Sequence, residues 1–258
     1  MKTIEVNGER LEYFAQGEGV PILLLHGVGA HGGLWTEALK SLGDGYAAHA
    51  FSLRGHGGST CNGSLSVDAL TDDLQATVEV LKIAPFHLVG VSLGAAVALR
   101  FAATASDAVQ SLTVSGIGLE PRKALVDEIY GVREAVHYLK PEDFALQVGE
   151  ALLAPDAPEE RLAQIEQSLM TLTKQRYLQA LEALAAAEPK AVAGQIEAPA
   201  LVLRGELDEL VEAGDAEALA EAIGGAECVD IPDAGHLANI DNPDAFAARL
   251  RAHIVLTG

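Results

Sequence analysis

The 258 residues carry 37 Asp and Glu against 17 Lys and Arg, a formal charge of −20 with histidine neutral. A surface this acidic repels phosphate backbones and anionic membrane faces, whose capture depends on Lys and Arg displacing counterions, so neither nucleic acid nor membrane is expected as a partner. With 49% hydrophobic and 21% charged residues, the composition excludes a disordered chain and supplies a sizeable core.

Residues 2–6 and 10–16 read as the two strands of a hairpin, joined through Asn7-Gly8, a pair suited to positive φ. The apolar run 20–25 follows, bounded by Gly19 and His26-Gly27, and has the pattern of a strand buried on both faces. Residues 47–53 give a weaker strand signal. Residues 65–83 then place Leu70, Leu74, Val78 and Leu81 at helical spacing, ended by Pro85. The apolar segment 86–91 is strand-like and runs straight into Gly90-Val91-Ser92-Leu93-Gly94, after which 95–103 reads as an alanine-rich helix and 109–115 as a further strand.

There the alternation stops. Residues 119–194 are helical almost throughout, punctuated by Pro141, Pro155, Pro158 and Pro189 and holding no β-branched run. Strand signals resume at 200–204 and 227–231, separated by the helical 215–223, and 243–254 closes the pattern as an amphipathic helix. Alternating β and α elements with right-handed crossovers predict an α/β fold, a mostly parallel twisted sheet with helices on both faces. The expected division is a core of residues 1–118 and 195–258 with a helical unit, 119–194, inserted between strands.

Residues 1–10 lack the basic start and apolar stretch of a leader peptide, and no apolar run is long enough to span a bilayer. Cys61 and Cys228 are too few for a disulfide framework or a cysteine metal site. The expectation is a cytoplasmic protein with no cofactor and no metal, a monomer or homodimer acting on a small molecule.

The chemistry centres on Ser92. A G-x-S-x-G pentapeptide between a strand and a helix needs its glycines because the turn is tight and the two elements pack closely, leaving the serine strained and its hydroxyl exposed. A serine hydroxyl needs a base, and that base needs an orienting acid. Of the eight histidines, His236 lies just after the last predicted strand, in Asp233-Ala234-Gly235-His236, where a side chain reaches the strand ends. Asp208 follows another strand through Gly205-Glu206-Leu207, with Glu206 and Glu209 as close rivals. Ser92, Asp208 and His236 then stand in the chain order expected of an acyl-transfer triad on this kind of sheet. The oxyanion would be met by the Leu93 amide, at the start of a helix, and by Val28 in His26-Gly27-Val28-Gly29.

These motifs, with Arg54-Gly55-His56-Gly57-Gly58-Ser59, resemble the successive motifs of the α/β-hydrolase superfamily over nearly the whole chain outside the insertion. The resemblance implies an α/β-hydrolase fold in which residues from 119 to about 188 form a helical cap over the catalytic face. Arg54 and His56 would fix a loop. One departure stands out: the family usually has an acidic residue just before the Arg-Gly-His-Gly turn, where this chain offers Ser52, so that loop loses an anchor.

The serine nucleophile sets aside dehalogenases and epoxide hydrolases of the fold, which place Asp there. Among serine members, the sequence is most similar to small carboxylesterases and 3-oxoadipate enol-lactonase-like enzymes. The implied function is hydrolysis of a small, largely apolar ester or lactone through an acyl-enzyme on Ser92. Carbon–carbon hydrolases of vinylogous diketones, cofactor-free haloperoxidase-like members and non-catalytic receptors share the same scaffold and stay open. For the pocket, Trp35, Tyr130, His137, Tyr138, Phe144, Met170 and Tyr177 are candidate walls, each with core packing as its alternative.

Overall fold

The computed structural model describes residues 2–120 and 123–258, with the side chains of 123–128 and 130 outside the description. The hairpin forms as β1 (Lys2–Val6) and β2 (Glu9–Gln16), with Asn7 and Gly8 at φ 49° and 77° in its turn. Then come β3 (Val20–Leu25), α1 (Thr36–Leu42), β4 (Tyr46–Phe51), α2 (Val67–Leu81), β5 (Phe86–Val91), α3 (Leu93–Thr104) and β6 (Val109–Ser115). Among the described residues, five α-helices follow without a strand: α4 (Lys123–Tyr138), α5 (Pro141–Leu152), α6 (Glu159–Leu169), α7 (Lys174–Ala185) and α8 (Pro189–Val192). The sheet resumes with β7 (Ala200–Gly205), α9 (Ala213–Ala222) and β8 (Glu227–Ile231), and α10 (Ala238–Asp241) and α11 (Pro243–Thr257) complete the chain.

The eight strands of the described residues are ordered β1-β2-β4-β3-β5-β6-β7-β8, with the β1–β2 and β2–β4 pairs antiparallel and all other pairs parallel. From β3 the chain steps outward to β4, then returns to the other side of β3 to lay down β5. Two right-handed crossovers in opposite directions put their helices on opposite faces of the sheet. Accordingly α1 packs with α11, while α2 packs with α3. The central strands are buried on both faces: Ile22, Leu23, Leu24 and Leu25 are at most 1% exposed, and every residue of β5 is buried. The reversal between β3 and β5 opens a crevice at their carboxyl ends, where ligands bind in open α/β sheets.

The loop after β4 is anchored, against the expectation raised by Ser52. The acid comes from the neighbouring strand: Glu12 Oε2 accepts from Ser52 Oγ at 2.7 Å and from the Gly58 amide at 3.1 Å. Pairing of β2 with β4 brings Glu12 there, since Tyr13 stands opposite Phe51. Arg54 adds two charge-assisted bonds to Asp73 on α2, at 2.6 and 2.7 Å. Glu9 holds the far end of the loop, accepting from Thr60 and from the amides of Asn62 and Gly63. Burial alone would raise its carboxyl, but those bonds and the Arg54 charge outweigh it and hold the group below its ordinary value.

Candidate active site

Ser92 sits between β5 and α3 with φ 53° and ψ −114°, a conformation an L-residue holds only when its surroundings impose it, at a cost of about 1–3 kcal/mol. Close backbone approach on either side does so. A Cβ on Gly90 would lie 2.4 Å from the Gly94 carbonyl oxygen, and one on Gly94 would lie 2.4 Å from that of Leu25. The Ser92 amide donates to Ser115 O on β6 at 2.8 Å, and its carbonyl accepts from Ala96 at 3.0 Å, tying the turn to sheet and helix. The hydroxyl thereby projects from the sheet's carboxyl edge.

His236 and Asp208 converge on it. His236 Nε2 is 3.0 Å from Ser92 Oγ, and His236 Nδ1 is 3.0 Å from Asp208 Oδ2. All three residues are buried. The turn after β7 fixes the acid: Asp208 Oδ1 accepts from the amides of Leu210 at 2.8 Å and Val211 at 3.1 Å. Burial works to raise the Asp208 carboxyl, yet the His236 charge, the hydrogen bond to its ring and the two amides prevail and lower it. Its rivals point elsewhere, both Glu206 and Glu209 being exposed. The β7 and β8 loops are pressed together, with Leu207 N donating to Ala234 O at 2.8 Å and a Cβ on Gly205 clashing with Gly235 O at 1.9 Å.

The loop after β3 passes directly over the serine, since a Cβ on Gly27 would stand 3.1 Å from Ser92 Cβ. Val28 lines the cavity above Ser92, and Leu93 opens α3. His26 holds this loop: its Nδ1–H donates to Gly27 O at 2.7 Å, while Nε2 accepts from Leu53 N at 2.9 Å. That pair of bonds requires the neutral ring, and burial, with His56 close by, lowers its pKa well below the usual histidine value.

The cavity above Ser92 and His236 has ≈ 60 Å³ of water-accessible space and is walled by Val28, Ile117, Tyr177, Leu181, Leu184 and Leu237. Among the described residues lining it, the charged carboxylate is Glu120, paired with Lys190 of α8 at 2.5 Å.

Most of the aromatic and Met residues expected as walls lie elsewhere. Trp35 is 1% exposed and packs against Phe246 of α11, in the core. His137 and Tyr138 face outward, Tyr138 being 81% exposed, and Met170 at the end of α6 is 45% exposed. Phe144 is buried one layer behind the wall, edge-on to Tyr177 at 5.4 Å between centroids. The side chain of Tyr130 lies outside the described residues. Tyr177 does line the cavity, accompanied by Leu181 and Leu184, which sequence reasoning missed. The available signal was their spacing with Tyr177 along one face of α7, indistinguishable from an ordinary core stripe.

A family model described as the alpha/beta hydrolase fold matches residues 20–243. The chain is 28% identical over 251 residues to a pimeloyl-[acyl-carrier protein] methyl ester esterase of Chromobacterium violaceum, with 92% of this chain and 95% of that protein covered. It is 26% identical over 251 residues to 3-oxoadipate enol-lactonase 1 of Acinetobacter baylyi, covering 95% and 89%. Among solved structures it resembles the enol-lactonase of Burkholderia xenovorans LB400, with a TM-score of 0.88, 26% identity, and 98% and 100% of the two chains covered. With the family model spanning most of its length and a sheet of the matching topology beneath Ser92, the chain belongs to the alpha/beta hydrolase fold family.

Proposed function

We propose that the protein is a serine hydrolase cleaving a small, neutral, largely apolar carboxylic ester or lactone through an acyl-enzyme on Ser92. The observation that carries this reading is the unbroken line Asp208–His236–Ser92, two contacts of 3.0 Å each, opening into an apolar cavity. His236 Nε2 removes the Ser92 proton as the oxygen attacks the substrate carbonyl. Asp208 holds the ring with Nδ1–H directed at itself and stabilises the imidazolium that forms. The amides of Leu93 and Val28 meet the developing oxyanion, with the N-terminal end of α3 adding its positive dipole. The tetrahedral intermediate collapses with breakage of the bond from the carbonyl carbon to the leaving oxygen, which imidazolium protonates; in a lactone that oxygen stays on the acyl chain as a new hydroxyl. Water deprotonated by His236 attacks the acyl-enzyme, and collapse of the second tetrahedral intermediate frees the acid and restores the Ser92 hydroxyl.

The cavity's lining by Val28, Ile117, Leu181, Leu184 and Leu237 supports a small apolar acyl group. Its walls support neutrality, because a carboxylate placed among these side chains would be desolvated without a counter-ion. The similarity to an esterase and to enol-lactonases agrees with the reaction class. The test uses p-nitrophenyl butyrate and a fluorophosphonate. The wild type is expected to hydrolyse the ester and gain one phosphonyl mass on Ser92, and Ser92→Ala to do neither. Full hydrolysis by Ser92→Ala would overturn the mechanism. Labelling of Ser92 without turnover of any ester, lactone, thioester or diketone would instead support a receptor.

A further inference from the structure

We propose that Asp241 is a positioning residue whose carboxylate clamps the loop bearing His236 to the helical segment between β6 and β7, so that the two move as one. Asp241 ends α10 and is 4% exposed. Its Oδ2 accepts from the Gly235 amide, directly before His236, at 2.8 Å, and from the Ala154 amide, just beyond α5, at 2.9 Å. One donor belongs to the base-bearing loop and the other to the inserted helical segment.

A second link runs parallel to the first, with Leu237 N donating to Leu152 O at 3.1 Å. Between them the chains touch backbone to backbone: a Cβ on Gly235 would lie 2.6 Å from the Leu153 carbonyl carbon and 2.7 Å from Ala154 N. His236 is thus flanked on both sides by residues pinned to 152–154. Leu152 and Leu237 also line the cavity, so the segment that shapes the substrate pocket is the one that sets the imidazole's place. Asp241 touches neither Ser92 nor substrate space, and acts through His236.

Base catalysis depends steeply on this placement, because a misplacement of about 1 Å far from the chemistry costs about 100-fold. Partners that orient metal-bound histidines from one layer behind cost about 10- to 100-fold when removed, and the same order is expected for an imidazole base held in the same way. Asp241→Asn keeps an oxygen at the Oδ2 position and puts its NH₂ at Oδ1, an atom with no hydrogen-bond partner among the described residues. The clamp therefore survives Asn and is lost with Ala.

This inference rests on His236 being the base. The experiment measures kcat per active site, with sites counted by fluorophosphonate labelling so that a misfolded fraction does not enter, beside KM for p-nitrophenyl butyrate. Asp241→Ala is expected to lose about 10- to 100-fold in kcat with KM within about twofold, and Asp241→Asn to stay within about threefold of wild type. Equal kcat in Asp241→Ala and wild type, or an Asn variant as slow as Ala, overturns the proposal. Ser92→Ala in the same assay separates the readings: retained hydrolysis there removes the mechanism and the clamp's role with it, whereas its loss beside an unchanged Asp241→Ala removes the clamp alone. Should Asp241→Ala fail to fold, hydrogen exchange on the wild type decides. The Gly235 and Ala154 amides are expected to be protected together, and unprotected exchange at either refutes the clamp.

Discussion

Replacing Asp208 by Asn tests the electronic demand of the relay while leaving its geometry almost untouched. Asp208 Oδ1 already accepts two amides, from Leu210 and Val211, at 2.8 and 3.1 Å. An Asn side chain cannot present its NH₂ to those donors, so its carbonyl oxygen must take the Oδ1 position. The NH₂ then faces His236 Nδ1, at the 3.0 Å now occupied by Oδ2. Facing a donor, Nδ1 must give up its hydrogen and accept, which moves the ring hydrogen to Nε2. That nitrogen now donates to Ser92 Oγ and cannot take its proton. Inverting the tautomer in a related relay costs about 10⁴-fold in kcat, equivalent to about 5.4 kcal/mol at 1.36 kcal/mol per decade. Because both backbone bonds to the side chain persist, the thermal midpoint is expected to move little. The assay is steady-state hydrolysis of p-nitrophenyl butyrate at neutral pH, with unfolding followed by circular dichroism. A loss below tenfold in a folded Asp208→Asn protein would show that Asp208 does not set the tautomer, and Glu206 would be the next acid to examine.

The apolar walls predict discrimination by charge. Ethyl butyrate is expected to exceed monoethyl succinate by at least about 100-fold in kcat/KM, the equivalent of about 2.7 kcal/mol for an unpaired carboxylate, and comparable values would refute a neutral pocket. Stability should also depend on pH through His56, whose buried ring is held down to about 4 by desolvation. Between pH about 6.5 and 4 the unfolded chain binds a proton that the folded one refuses, so stability is full above that window and falls as pH drops, by up to about 3 kcal/mol. Urea unfolding at pH 7 and pH 4.5 should show His56→Gln losing about 2–3 kcal/mol less than wild type over that interval, and equal losses would remove His56 as the cause.

The triad was legible because its members announce themselves locally. Ser92 lies between glycines that tolerate the crowding of strand on helix, and His236 and Asp208 each follow a strand with turn residues. The choice of Asp208 over Glu206 and Glu209 was not local, since it depends on which carboxylate the Leu210 and Val211 amides draw inward toward the imidazole. The anchor of the Ser52 loop was hidden for a related reason: Glu12 reaches it only through the β2–β4 pairing, some 40 residues away along the chain. The cavity walls were the least legible. Tyr138 and Met170 looked like pocket residues by type but face outward, whereas Leu181 and Leu184 looked like filler but line the cavity over Ser92. Residue type carries no information about which face of a helix a neighbouring element will cover.

The register that pairs Leu25 with Gly90 sets a division of labour that matters for redesign. The loops carrying Val28 and Ser92 leave adjacent parallel strands, so the proposed oxyanion donor and nucleophile start one strand spacing apart, and the His26 ring and Ser168 hydroxyl then hold the Val28 loop through Gly27 O, Leu53 N and Gly29 O. A designer can resize the cavity through Leu181 or Leu184 with less risk to that loop than through Tyr177, whose ring lies against Gly29 beside Val28. The loop bearing His236 is tied to the same helical segment at a different place, residues 152–154. Grafts that replace the whole helical segment should keep those three residues and their path, or carry a substitute acceptor for the Leu237 amide with them.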